Sequence, residues 1–391
     1  MAGLSKENPL KAVFNPASVT RLSEALARVR PDFPARRFAD EVIPGLEGRS
    51  FSERSASIRE ALRKYLPRDF PEAVGILVAA LGPELPDSGV AGLESFIVMP
   101  QCAFIAKYGR SEVELSLDAL REMTKRFTAE GDLRAFLEVD YETTMKHLRA
   151  WCEDPSPHVR RLVSEGTRPR LPLAGRIRRF QGDPTPVISL LERLRRDPSL
   201  YVRRSVANNI NDIAKDNADI ALRTLAEWST DESEENRRLL RHAARTLIRQ
   251  GNPEALRIFG YAPEPEIAVA DFAQDLGVVE VGGSGAFRCL LRSVARERQE
   301  LVVDYVVHFV KANKSLRPKI FKHRKMALDP GSVEAIQIRH RFRDTSGRRH
   351  YPGDHVVELQ VNGKRYGGWK IGLVPSRQDQ PDLGGESRAE S

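Results

Sequence analysis

The chain has few cysteines and no long apolar segment, and both shortages exclude classes of protein. Its three cysteines, Cys102, Cys152 and Cys289, lie far apart, with no CxxC pair and no histidine cluster nearby. This spacing argues against a disulfide framework and a metal site, and it is typical of a reducing compartment. The longest apolar runs, such as residues 73–81 and 301–310, are much shorter than the roughly 20 residues of a membrane-spanning helix. Because no amino-terminal segment joins a basic stretch to an apolar one, we expect a cytoplasmic protein without a membrane partner.

Positive charge is what the 391 residues have in excess, since 62 Lys and Arg stand against 54 Asp and Glu, a formal net charge of +8. The excess is concentrated in two places. Residues 158–204 hold twelve basic against four acidic residues, a local +8, and residues 288–377 hold twenty against eight, a local +12. The remainder of the chain therefore carries −12. Two basic zones on an otherwise acidic chain favour a polyanionic partner such as nucleic acid, with two solvated arginine-rich faces as the alternative.

The first 261 residues have the pattern of short helices. Apolar residues recur at three- and four-residue spacing, as in Leu22, Leu26 and Val29, and Pro and Gly mark the joins between segments. Asp154 and Asp197 each precede a proline, which we expect to occupy the first turn of a helix.

An internal repeat supports this interpretation. Residues 154–161 align with residues 197–204 at an offset of 43, and each copy ends in a double-basic pair, Arg160-Arg161 or Arg203-Arg204. Weaker matches lie 34 and 35 residues away on either side. Periods of this size, built from helix pairs, are typical of HEAT-like repeats that stack into a solenoid.

Beyond residue 262 the apolar period becomes two. In residues 301–310 period two dominates, with Leu301, Val303, Tyr305, Val307 and Phe309 on one side, and further strand candidates are residues 286–294, 335–343, 355–361 and 368–373. Asn362-Gly363 predicts a type I′ hairpin turn, because both positions need positive φ. About seven short strands predict a small immunoglobulin-like sandwich. The predicted fold class is therefore mainly α: a HEAT-like helical-repeat solenoid over residues 1–261, a small all-β sandwich over residues 262–376, and a disordered tail over residues 377–391.

A group of acidic residues falls inside the first basic zone. Counted from the basic pairs, Glu130 and Glu165 occupy equivalent places in successive units, and Asn208 takes the same place in the next. Asp212 follows Asn208 by one helical turn, so the two share a face. Carboxylates repel phosphate, so acids within a basic wall indicate chemistry on a cation. Ordinary salt links between repeats are the alternative that the pattern leaves open.

Two segments resemble the AlkC-type DNA alkylation-repair glycosylases, which belong to the HEAT-like repeat glycosylase superfamily together with AlkD. They are residues 164–172, SEGTRPRLP, and residues 202–213, VRRSVANNINDI. Residues 8–15 and 66–70 are similar to the same family. The resemblance covers residues 8 to about 261, and the β domain is similar to the immunoglobulin-like extension that part of the family carries.

The resemblance implies a monofunctional DNA glycosylase that excises cationic N-alkylated bases, such as 3-methyladenine or 3-methylcytosine, from duplex DNA in base excision repair. A carboxylate stabilises the oxocarbenium-like sugar and positions water, without base flipping. Matching positions make Glu130, Glu165 and Asp212 the candidate catalytic residues. The resemblance also implies a monomer that needs no cofactor and whose partner is double-stranded DNA containing alkylated bases. Candidate DNA contacts are Arg161, Arg168, Arg203, Arg204, Lys215 and Asn208 in the first zone, with Lys322 and Arg324 in the second.

Two departures from the family pattern bear on this function. The family usually has Trp directly after Arg-Leu-Pro, where this chain has Leu173, and Gly131-Asp132 follows Glu130 in place of Arg-Pro. A non-catalytic helical scaffold that binds nucleic acid is therefore the alternative function, and an RNA-binding repeat protein is a third. We expect the β domain to close DNA against the helical domain, with docking of a protein partner as the alternative.

Overall fold

The computed structural model describes residues 10–86, 92–345 and 348–376. The chain divides into two compact units, Met1–Ala243 and Ala244–Ser391. Residues 244–261, which the sequence pattern assigns to the helical domain, thus group with the strands that follow them. The predicted disordered tail, residues 377–391, and the first two residues of the segment 8–15 lie outside the described residues.

The first unit is helical. Its described part contains short 3₁₀ helices at Leu10–Val13, Ile43–Gly45 and Leu93–Val98, and the α-helices α1 (Pro16–Val29), α2 (Ala35–Val42), α3 (Phe51–Tyr65), α4 (Phe70–Ala79), α5 (Met99–Tyr108), α6 (Val113–Thr124), α7 (Arg134–Val139), α8 (Tyr141–Trp151), α9 (Pro157–Gly166), α10 (Arg178–Gly182), α11 (Thr185–Leu194), α12 (Leu200–Ile213), α13 (Ala218–Trp228) and α14 (Glu234–Ala243). Helices α6, α9, α12 and α14 pack on one another in that order. Across the parts of the chain that the structure describes, no helix is both long and apolar enough to cross a bilayer.

The repeated Asp-Pro segments form the corners that start α9 and α12. In each copy a serine, Ser156 or Ser199, is the N-cap. Its backbone N–H donates 2.8 Å to the carboxylate of Asp154 or Asp197, respectively. The expectation that the first proline lies inside the helix is wrong, because the Asp-Pro pair forms a side-chain-bonded turn and the helix begins after the serine.

The second unit contains α15 (Arg245–Arg249) and α16 (Pro253–Ile258), followed by two sheets packed as a sandwich. Its strands are β1 (Ile267–Gln274), β2 (Val278–Glu280), β3 (Ser284–Ser293), β4 (Gln299–Val310), β5 (Leu316–Leu328), β6 (Val333–Arg341), β7 (Gly353–Val361) and β8 (Lys364–Val374). One sheet has the order β1-β3-β6 and the other β2-β8-β7-β4-β5, and all pairs except β2 with β8 are antiparallel. The predicted class, a helical region followed by a small β-sandwich, is confirmed.

Strand β4 carries the centre of the sandwich core. Leu301, Val303, Tyr305, Val307 and Phe309 all belong to the core cluster, as their alternation predicts. The opposite face of β4 is almost entirely buried as well. A strand covered on both faces loses the polar alternation that marks a half-exposed strand.

Strand β5 was not among the predicted strands. It is an edge strand whose side chains are mostly exposed or half-buried, and five of its 13 residues are Lys or Arg, so no apolar alternation identifies it. Lysine is common on edge strands, because it discourages pairing with a second sheet. The edge strands β2 and β1 lack a clear apolar alternation for other reasons: β2 has only three residues, and the register of β1 shifts between Ala270 and Ala273.

The turn between β7 and β8 is the predicted type I′ hairpin. Asn362 has φ 46° and Gly363 has φ 80°. Asn362 is buried, and its Oδ1 accepts 2.7 Å from the backbone N–H of Val302. A Cβ on Gly363 would lie 2.0 Å from the Cα of Gly251, so the turn needs glycine for space as well as for its φ.

Candidate functional site

The three candidate carboxylates meet in one network in the first unit. Glu130 lies between α6 and α7, Glu165 in the last turn of α9, and Asp212 in the last turn of α12. Two arginines, Arg161 and Arg168, connect them. The repeat register predicts that these three residues lie along one side of the stacked units, and in the structure they are close together.

Arg161 connects the first two carboxylates. Its Nη2 lies 2.9 Å from Glu130 Oε2 and 3.7 Å from Glu165 Oε1, and its Nη1 donates 3.3 Å to Thr128 Oγ1. The guanidinium carbon stands 4.8 Å from the ring centre of Tyr201. Burial opposes the charge of Arg161, but the two adjacent carboxylates outweigh it and raise the pKa of the guanidinium. The side chain is therefore a fixed cation between two acids.

Arg168 connects the second and third carboxylates. Its Nη1 donates 2.6 Å to Glu165 Oε1, and its Nε donates 2.7 Å to Asp212 Oδ2. Lys215 Nζ completes the set, 2.7 Å from Asp212 Oδ1. Burial lowers the pKa of Arg168, and the coulombic effect of Glu165 and Asp212 more than reverses it. The Arg168 side chain is only 9% exposed, so its donors are used inside the protein.

Polar side chains that the sequence did not single out fix the orientation of Glu165. Ser205 Oγ donates 2.6 Å to Glu165 Oε2 and lies 3.0 Å from Ser164 Oγ. Asn209 Nδ2 donates 2.7 Å to the carbonyl of Ser164 and 3.1 Å to Thr167 Oγ1. Ser205 and Asn209 are one helical turn apart on α12, and that spacing is the signal that could have found them.

Glycine and arginine hold the loops around the network. A Cβ on Gly166 would lie 2.6 Å from Leu133 Cδ2, so this glycine admits the segment that carries Glu130 against the end of α9. Arg134 Nη1 donates 2.8 Å to the carbonyl of Arg168, and its Nη2 donates to the carbonyl of Gly175. Burial lowers the pKa of the Arg134 guanidinium to about 10. Arg134 thus anchors the loop between α9 and α10.

Comparison with known proteins shows the family. Residues 268–375 match the family described as "Uncharacterised protein YhaZ, C-terminal Ig-like domain". Over 356 residues the chain is 32% identical to "Uncharacterized protein YhaZ" of Bacillus subtilis (strain 168). The match covers 91% of this chain and 96% of that protein. The structure is similar to that of the Pseudomonas fluorescens alkylpurine DNA glycosylase AlkC bound to DNA containing an abasic site analogue. The TM-score is 0.86 and the identity 34%, over 93% of this chain and 99% of that one.

The chain belongs to the AlkC family. The immunoglobulin-like character predicted for the carboxyl-terminal sandwich is confirmed with it.

The other candidate DNA contacts of this AlkC-family chain differ in their availability. Arg203 Nη1 donates to the carbonyls of Asp197 and Pro198, so it stabilises a repeat corner. Asn208 Oδ1 lies 2.9 Å from His242 Nε2. Arg204 is exposed, and it has no ion pair or hydrogen-bond partner among the residues that the structure describes.

Further salt links join the repeats at the Asp-Pro corners, and they use different arginines. Arg160 Nε donates 2.6 Å to Asp197 Oδ2, and Arg121 Nη2 lies 2.5 Å from Asp154 Oδ2 in the preceding unit. Both acids are nearly buried at the Asp-Pro corners. The pair Arg160-Arg161 therefore divides its work: Arg160 binds the Asp197 corner of the next repeat, and Arg161 faces the carboxylates.

Leu173 occupies an unusual position on the loop between α9 and α10. Its side chain is fully exposed, and its φ is 64°, in the left-handed region that non-glycine residues seldom adopt. An apolar side chain held in water at a strained backbone position gains nothing from packing within its own unit.

The two candidates in the second unit lie on β5. Lys322 is exposed. Arg324 Nη2 lies 3.3 Å from Glu334 Oε2 and 3.4 Å from the carbonyl of Ala335, both on β6. Lys322 is thus open to a ligand, whereas Arg324 is partly engaged between the two sheets.

The network as a whole balances its charges. Three carboxylates face three cations, Arg161, Arg168 and Lys215. The carboxylates differ in access, with side-chain exposures of 23% for Glu130, 8% for Glu165 and 1% for Asp212. Carboxylates already oriented by ion pairs can stabilise a positive charge that develops beside them without reorganising. Within the described ranges, no three His, Cys, Asp or Glu side chains are grouped to hold a metal ion.

Proposed function

We propose that this protein is a monofunctional DNA glycosylase that removes cationic N-alkylated bases from duplex DNA. The observation that carries the proposal is the similarity to the alkylpurine DNA glycosylase AlkC over almost the whole chain. The carboxylate network supplies groups suited to the chemistry. The protein acts in the bacterial cytoplasm as a monomer, without a cofactor and without deep base flipping.

The reaction breaks the bond between C1′ of the sugar and the nitrogen of the base. A base alkylated at N3, such as 3-methyladenine or 3-methylcytosine, carries a positive charge, and the electron pair of the broken bond neutralises it. The sugar is left as an oxocarbenium-like cation, to which water adds at C1′ while a carboxylate accepts the proton. The protein therefore needs fixed negative charge beside the sugar more than it needs a general acid.

Exposure suggests how the three carboxylates divide this work. Glu130, the most accessible, is placed to face the cationic sugar and base. Glu165 keeps both oxygens in hydrogen bonds, from Arg168 and Ser205, and acts as the partner that orients or deprotonates water. Asp212 is almost fully buried, so it acts through Arg168 as a positioning residue.

Exposed cations outside the network are the proposed backbone contacts. Arg204 is exposed in the first unit, and Lys322 is exposed in the second. Lys215 is exposed as well, but it belongs to the network through its pair with Asp212, so it is a weaker candidate. Phosphate contacts of this kind orient a protein on duplex DNA and make its affinity depend on salt. Truncation of residues 262–391 is expected to weaken binding to duplex DNA and to lower its salt dependence.

The test measures release of methylated bases from alkylated duplex DNA. Glu130→Gln and Glu165→Gln are each expected to slow release by about 10²–10³-fold, the effect of removing one charge-stabilising group. Asp212→Asn is expected to slow it less, since Asp212 acts through Arg168. Asp216→Asn is the matched control, because Asp216 pairs with Arg170 outside the network and loses the same charge.

Two outcomes contradict the proposal in different ways. Wild-type protein that binds duplex DNA but releases no base above the no-enzyme control rules out the enzyme. Equal release by wild type and all three network variants rules out the carboxylate assignment but not the activity.

A non-catalytic scaffold that binds nucleic acid is the second candidate. It is favoured by one observation: a cation already pairs with every carboxylate of the network. In that case the network only orders α9 and α12. The glutamate variants would then lower the stability of the protein and leave DNA binding unchanged.

A further inference from the structure

A cationic cavity of about 550 Å³ lies in the second unit, away from Lys322 and Arg324, which do not line it. It is formed by the end of β4, the start of β5 and the residues before β7. Five cationic side chains line it: Lys311, Arg317, Lys319, Arg348 and Arg349. The rings of Phe309 and Tyr351 are also part of its lining.

The positive charge of this cavity is only partly compensated, since Asp344, which does not line the cavity, interacts electrostatically with Arg349. No acidic residue lines it, and none of the five cations forms an ion pair with a residue that the structure describes. Burial and the proximity of Arg348 lower the pKa of Lys319, as expected for a cation held beside another cation. Like charges gathered in this way oppose folding, so their arrangement calls for an anionic ligand.

Strand geometry places two of these cations on the core side of the sheet. Side chains on one face of a strand recur every second residue, so Arg317 and Lys319 share the face of Phe321. Phe321 packs against the sandwich core. The inner face of β5 therefore changes from apolar to cationic within four residues. In an ordinary sandwich, this face of the strand would carry further apolar side chains, or the strand would end.

Aromatic rings hold the arginines in place. The Arg348 guanidinium carbon lies 4.6 Å from the ring centre of Phe309 and 5.7 Å from that of Phe321. Arg349 stands 5.9 Å from the ring centre of Tyr351. The side-chain N–H groups of Arg348 meet no acceptor among the described residues. The aromatic rings hold the face of this guanidinium, and the N–H donors at its edge are unused. It is therefore preorganised to bind an anion through two hydrogen bonds.

We infer that this cavity binds a phosphate group that belongs to a nucleotide unit, with the aromatic side chains beside it accommodating the attached sugar and base. Phosphate accepts several charge-assisted hydrogen bonds at once, which suits a group of five donors. The nucleotide belongs either to a nucleic-acid strand or to the free pool, and the chemistry recognised is the same. Binding of a nucleic-acid strand rests on the proposed function, whereas binding of a free nucleotide does not.

The experiment uses the full-length chain and a double variant, Arg317→Gln with Lys319→Gln. Its matched control is Arg288→Gln with Arg292→Gln, which removes the same charge from exposed positions on β3. Neither control residue lines the cavity. Melting curves for the two double variants establish that both are folded. Affinity for an undamaged duplex is measured over a range of salt concentrations, and affinities for dAMP and inorganic pyrophosphate are measured by calorimetry.

If the cavity holds a strand phosphate, the slope of log affinity against log salt falls by about 0.9 for each contact removed, and the control keeps the wild-type slope. If it holds a free nucleotide, wild type and control bind dAMP or pyrophosphate, and the cavity variant loses that binding at least tenfold with its duplex affinity unchanged. Unchanged binding of all three probes by the cavity variant overturns the inference. Base release is scored separately, so a protein without glycosylase activity can still confirm the cavity.

Discussion

Replacing Arg168 by glutamine tests whether its ion pairs hold the carboxylate network together. Arg168 contacts both Glu165 and Asp212 at 2.6–2.7 Å, and all three side chains are at least nine-tenths buried. The variant keeps a polar side chain of similar length but removes the cation. Two buried carboxylates then lose their shared partner.

The size of the loss follows from the partners that remain. Removing one member of a buried ion pair costs about 3–5 kcal/mol, because a charge is left uncompensated away from water. Asp212 still has Lys215 at 2.7 Å, and Glu165 still accepts from Ser205 at 2.6 Å. We therefore expect a loss near the lower end, about 3 kcal/mol of the free energy of unfolding of the helical unit.

Urea unfolding followed by helical circular dichroism measures this loss. Arg170→Gln is the control, since the Arg170 and Asp216 pair is more exposed and is expected to contribute under about 1 kcal/mol. Combining Arg168→Gln with Asp212→Asn is expected to cost less than the sum of the two single changes, because each already breaks the shared pair.

A result in which Arg168→Gln and Arg170→Gln lose the same small amount refutes the reasoning. It would mean that water reaches the network and that its ion pairs are ordinary surface contacts. Loss of base release with stability unchanged would instead assign Arg168 a direct contact with DNA.

Two further predictions concern the exposed loop and the sandwich. Leu173→Trp is expected to raise base release by up to about tenfold through stacking on DNA, with no change in melting temperature because the side chain is fully exposed; an unchanged rate would place this loop away from the substrate. His340 is buried, and burial together with the nearby charges of His350 and Arg348 lowers its pKa to about 4. Histidine in the unfolded chain titrates near 6.5, so it binds a proton more readily than folded His340 does. The free energy of unfolding is therefore highest above pH 6.5 and falls by about 3 kcal/mol as the pH falls toward 4. Urea unfolding of the sandwich from pH 7 to 4 measures the slope, and a His340→Phe variant that keeps the full slope would contradict the assignment to His340.

Much of the fold can be predicted from the amino-acid sequence. The alternation from Leu301 to Phe309 predicts both a strand and its core face, and Asn362-Gly363 predicts a turn whose two positive φ values the structure contains. These features depend on local rules of pleat and backbone sterics, which act within a few residues. These rules do not identify strand β5, because an edge position tolerates the Lys and Arg side chains that interrupt its apolar pattern.

The candidate site can be predicted only in part from the sequence. The repeat register brings Glu130, Glu165 and Asp212 to one place, because equivalent positions in stacked units are neighbours in space. It does not reveal that Ser205 and Asn209 orient the site while Asn208 lies beside His242. That distinction depends on which face of α12 meets α9.

The residues by themselves account for the two-part architecture, the spacing of the repeats and the choice of three acids, since periodicity and offset are properties of the chain. Which arginines are free to meet DNA is decided only on folding. Arg168 and Arg204 belong to the same basic zone of the sequence, yet one is buried between two carboxylates and the other is exposed. A charge count cannot separate them, because what a charge can do depends on its burial and its partners, and contacts between distant segments determine both.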